Sequence, residues 1–68
     1  MSINRGQSRE REIALLRGLS QGKTVKMVAR EVGIHPDTMK KYSDRARVRL
    51  GAETLTQAVF KAREMGLI

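Results

Sequence analysis

The chain has no cysteine and no tryptophan, and only one residue each of proline, histidine, tyrosine and phenylalanine. Without cysteine, neither a disulfide framework nor a Cys-based zinc site can reinforce a small core. The lone histidine, His35, has no second ligand at metal spacing, so no metal site and no cofactor are expected. There is no acid pair and no nucleophile with an orienting base at a recognisable spacing, which argues against an enzyme. No apolar run approaches the roughly 20 residues of a spanning helix. Arg9, Glu10, Arg11 and Glu12 interrupt the segment where a signal peptide would lie, so the expected location is the cytoplasm. Strand-like alternation is nearly absent as well.

What the chain does have is positive charge. Its 68 residues carry 14 Lys and Arg against 7 Asp and Glu, a net charge of +7. That length supports one domain with one small core and leaves little room for a deep cleft. Such an excess of charge on so small a domain favours a polyanionic partner, nucleic acid before an anionic membrane. A membrane partner is disfavoured because the basic helix keeps no apolar face once the core is packed.

Helical spacing dominates, and an all-α fold of four helices is expected. Residues 1–7 lack periodicity and read as a flexible N-terminal arm before a domain over 8–68. Ser8 is placed to cap the first helix, with Glu10 and Glu12 in its positive first turn and Ile13, Leu15, Leu16 and Leu19 as its apolar arc. Gly18 falls inside that helix and weakens it by about 1 kcal/mol relative to Ala; Gly22 stops it. Thr24 caps a second helix whose Val25, Val28, Ala29 and Val32 share a face. Gly33 ends that helix, and Pro36 opens the third at a position where its missing N–H costs nothing. Met39, Tyr42, Ala46 and Leu50 form the buried face of the third helix, up to Gly51. Thr54 and Gln57 have capping-box spacing, ahead of an inward stripe of Leu55, Ala58, Val59, Ala62 and Met65 that Gly66 closes.

The second and third helices, joined by a turn with Ala29 before it and Gly33 at the corner, have the pattern of a helix-turn-helix. Four segments then carry a wider likeness: TVKMVA from Thr24, IHPDTMKKY from Ile34, RLGA from Arg49 and LTQAV from Leu55. The chain resembles the LuxR-type (GerE-like) helix-turn-helix DNA-binding domain in an ungapped register from Arg11 to Ile68. That register sets Glu12, not the REREI segment two residues earlier, on the first acid of the family's first helix. His35 stands where Ser is usual, Tyr42 where His is common and Leu55 where Arg is common. Members usually carry an N-terminal receiver or ligand-binding domain, whereas the match here begins at Arg11, so a stand-alone domain is expected. The resemblance implies that Lys40, Lys41 and Asp44 read bases in the major groove, that Thr24, Lys26 and Thr38 hold phosphates, and that the last helix dimerises.

Helical phase gives the exposed face independently. With Met39, Tyr42, Ala46 and Leu50 inward, the outward centre of the third helix falls on Lys41, Asp44 and Val48, flanked by Lys40 and Arg47 on one side and Arg45 on the other. Lys23, Lys26, Arg30, Arg45, Arg47 and Arg49 as a set favour contact with a polyanion, Lys26, Arg45 and Arg47 are expected at the DNA backbone, and His35 is a turn residue within reach of a phosphate. Asp44 is anomalous in that company, and three roles are open to it: loose pairing with Lys40 or Lys41, acceptance of a cytosine amino group, or contact with a protein. On the last helix Phe60 points outward beside Thr56, Arg63 and Glu64, to be covered either by the N-terminal arm or by a partner, and the resemblance favours a homodimer. The expected function is regulation of transcription by binding double-stranded DNA. The alternative is an antagonist that forms mixed dimers with, or masks, a larger LuxR-type regulator.

Overall fold

A computed structural model describes residues 5–68, with side chains from Arg9 onward. It contains four helices: α1 (Arg5–Ser20), α2 (Val25–Val32), α3 (Pro36–Arg49) and α4 (Leu55–Glu64). The expected arm lies partly outside the described residues, and its last three positions are already helical. Ser8 is therefore inside α1 and not its cap, and Glu12 sits two turns in, away from the first turn.

The other helix boundaries follow their caps. Thr24 Oγ1 accepts the Met27 N–H at 3.1 Å, and Thr54 Oγ1 accepts the Gln57 N–H at 3.1 Å. Gln57 returns through Oε1 to the N–H of Glu53, one residue before the usual capping-box partner. His35 also works as a cap, its Nδ1 accepting the Asp37 N–H at 3.1 Å. At the corner Gly33 takes φ +84°, and the N–H groups of Gly33 and Ile34 both close on the Ala29 carbonyl. A side chain at that φ would be strained, which is why glycine marks the turn.

Two apolar clusters share α1 and α3. Leu15, Val28, Ala29, Met39 and Tyr42 bring α2 against them, with Leu19, Val25 and Ile34 at the edge. Leu16, Ala46, Ala52, Ala58 and Ala62 bring α4 against them, with Leu50, Val59 and Ile68 at the edge. Adjacent residues Leu15 and Leu16 thus serve neighbouring parts of the buried face of α1, one for each cluster. Two expected core positions lie at the surface. Met65 is 63% exposed because α4 ends at Glu64 and Ile68, beyond the closing turn, packs against the second cluster instead. Val32, the last residue of α2, is exposed at the corner.

Glu12 is the least expected core residue, 2% exposed on the inner face of α1. Arg49, at the end of α3, donates to it twice, from Nε to Oε1 at 3.0 Å and from Nη2 to Oε2 at 3.2 Å. These hydrogen bonds, and the charge behind them, hold the Arg49 guanidinium above its ordinary range. Their stabilising contribution is complete below that range and fades only in strong alkali. Arg49, although exposed, is thereby committed to Glu12. No helix among the described residues is long and apolar enough to cross a membrane.

Candidate nucleic-acid interface

The inner face of α3 is fixed by Met39, Tyr42, Ser43 and Ala46, all buried. Ser43 tolerates burial because its hydroxyl donates back to the Lys40 carbonyl at 2.6 Å. A helix anchored in that way must turn Lys40, Lys41, Asp44, Arg45 and Val48 outward, and all five are exposed. Val48 is 69% exposed, as helical phase requires.

Asp44 has no ion-pair or hydrogen-bond partner among the described residues, and neither do the side chains of Lys40 and Lys41. The expected loose pairing with a lysine one turn back is absent. Surface pairs of that kind gain only a few tenths of a kcal/mol, too little to hold two long side chains in one geometry. Lys26, Lys40 and Asp44 instead border one open groove of about 420 Å³ where α2, α3 and the start of α4 meet, with Leu55 in its lining.

The remaining expected contacts divide. Thr24, Lys26, His35 and Thr38 are exposed around the start of α2 and the α2–α3 corner. Arg47 is turned toward the following turn, its Nη1 3.4 Å from the Ala52 carbonyl, and only part of it is exposed. Lys23 is drawn away from the polyanion set by a 2.9 Å ion pair with Glu31. The Arg45 guanidinium lies over the Tyr42 ring, 5.9 Å from its centroid, and Arg11 of α1 approaches the same ring at 5.8 Å. Sequence reasoning overlooked Arg11, because nothing in local spacing relates residue 11 to residue 42. On α4, Thr56, Phe60, Arg63 and Glu64 are all exposed, Phe60 at 61%.

Two helices set at a glycine corner, the second presenting a cationic face and the whole backed by α1, define a helix-turn-helix domain. Comparison with known families narrows this class. The family described as bacterial regulatory proteins, luxR family, matches residues 9–62, and the chain belongs to it. It is a DNA-binding regulatory domain of the helix-turn-helix kind.

Proposed function

We propose that this protein regulates transcription by binding duplex DNA as a homodimer, with the outward face of α3 in the major groove. The observation that carries the reading is the cationic strip of Lys40 and Lys41 around Asp44, exposed and uncommitted on a helix whose other face is locked in the core. Lysines in that position donate to guanine edges, and Asp44 accepts from a cytosine N4 amino group. Thr24, Lys26, His35, Thr38, Arg45 and Arg47 serve the backbone, and their contacts set register without reading sequence.

Anisotropy titration of the full chain against duplexes at several salt concentrations tests this. If about five cations neutralise phosphates, the logarithm of affinity falls against the logarithm of salt with a slope of roughly −4 to −5. Lys41→Ala is expected to weaken binding to a selected site about tenfold. Asp44→Ala is expected to relax the preference at one base position; a uniform rise in affinity for all sequences would show instead that Asp44 only repels phosphate. Weak, sequence-blind binding together with tight association to a larger luxR-family regulator would replace this reading with the antagonist.

The dimer is assigned to α4, where Phe60 forms the centre of an exposed patch with Thr56, Arg63 and Glu64. A two-fold pair built there would present its two α3 helices one DNA turn apart, about 34 Å. Because Phe60 is exposed, Phe60→Glu is expected to leave folding intact and to shift the sedimenting species from twice the chain mass to the 7.7 kDa of one chain. A mass unchanged by the substitution would remove α4 from the interface.

A further inference from the structure

We propose that Arg11, on α1, is a DNA-backbone contact, held in place for that task by Tyr42 of α3. This rests on the DNA-binding reading above and extends its surface to a helix outside the helix-turn-helix pair. The residue is half-buried, its Nη1 donating to the Tyr42 hydroxyl at 3.2 Å while its guanidinium stands against the ring. A guanidinium has five N–H donors in a fixed fork. One is spent on the phenol, and Arg11 has no carboxylate partner among the described residues. Arg49 is the internal contrast, since it gives two donors to a buried carboxylate.

Position argues for phosphate as the acceptor of what remains. A helix about 10–12 Å across fills a major groove about 12 Å wide, so both its flanks face sugar-phosphate walls. Lys40 lies on one flank of α3, toward the groove it shares with Lys26. On the other flank, successive steps around the helix run from Lys41 through Arg45 to Tyr42. Arg11 continues that line onto α1, across the ring that Arg45 also covers. Arg11 and Arg45 both bring positive charge to the Tyr42 ring, and that charge favours a phosphate on this flank. Tyr42 is a positioning residue in this scheme: its ring and hydroxyl limit the rotamers open to Arg11, so less freedom is lost when phosphate binds.

The test compares salt slopes. With the full chain and a duplex of about 20 base pairs titrated from about 50 to 300 mM KCl, Arg11→Gln is expected to reduce the magnitude of the log–log slope by about 0.9, and Arg11→Lys to restore it. A merely structural role for Arg11 would change affinity at every salt concentration and leave the slope alone. An unchanged slope for Arg11→Gln overturns the proposal whatever its melting temperature. If that variant does not fold, the Nε–Hε resonance of Arg11 in the wild-type chain gives the answer: it shifts on adding duplex if the contact exists, and an unmoved signal in a complex that forms removes the contact. Absence of duplex binding by the wild type would be seen first and would remove the DNA-binding reading itself.

Discussion

Replacing Arg49 by Met is expected to destabilise the protein more than a surface contact would, although the side chain removed is half-exposed. The damage falls on Glu12. Its side chain is 3% exposed, and two charge-assisted hydrogen bonds from Arg49 hold its carboxylate between α1 and the end of α3. A buried carboxylate that loses part of its hydrogen bonding costs about 1–3 kcal/mol. A domain of 68 residues has only about 3–10 kcal/mol in total. Glu12→Gln is expected to be milder, about 1 kcal/mol, since the amide oxygen still accepts one bond and Arg49 can turn to water. The asymmetry is the informative part: in urea melts followed by circular dichroism, the Arg49→Met variant is expected to have a lower midpoint than the Glu12→Gln variant. Exchanging both for Met is expected to recover much of the loss, because an apolar pair carries no desolvation penalty. Equal midpoints for the two single variants would show that the pair is no more than a surface contact.

The helices and their order were legible because each is punctuated locally. Thr24, Pro36 and Thr54 mark starts and Gly22, Gly33, Gly51 and Gly66 mark stops; all four glycines have positive φ. Such signals depend on a few adjacent residues and survive without tertiary knowledge. The outward strip of α3 was legible for a related reason: once Met39, Tyr42 and Ala46 are buried, a rigid period of 3.6 residues dictates what faces away. What escaped were contacts between residues far apart in the chain. Placing the start of α1 at Ser8 made Glu12 look like a first-turn acid, when its spacing of 3 and 4 from Leu15 and Leu16 put it on their buried face. Neither the Arg11–Tyr42 contact, 31 residues apart, nor the Arg49–Glu12 pair, 37 apart, leaves a periodic trace.

Much of the candidate interface was readable in one respect and not in another. Which cations point outward follows from phase, but which of them are already committed does not. Lys23 and Arg49 belong to the same basic composition as Lys26, Lys40 and Lys41, yet the first two answer to Glu31 and Glu12. The net charge therefore overstates the number of free phosphate contacts, and the cations that remain cluster on α3 and on the α2 side of the corner.

Gly18→Ala is expected to destabilise the protein by about 2 kcal/mol, against the direction that helix propensity alone predicts. In an open helix the change would gain about 1 kcal/mol. Here an added methyl would stand 2.5 Å from Cγ2 of Val28, well inside contact distance. Val28 cannot yield, because its branched side chain has one favoured rotamer in a helix and is enclosed by Leu15, Ala29, Met39 and Tyr42. The remaining relief is for α1 and α2 to separate, and overpacking of this kind costs about 1–3 kcal/mol, occasionally more. Since α2 sets the corner from which α3 projects, the strain is expected to reach the DNA face as well. Gly18→Ala combined with Val28→Ala removes the clash and isolates it: thermal melts should show the second substitution costing less in the Gly18→Ala background than in the wild type. A Gly18→Ala protein more stable than wild type would mean that α1 and α2 do not meet as closely as the Gly18–Val28 contact requires, and that the corner is not held from behind by α1.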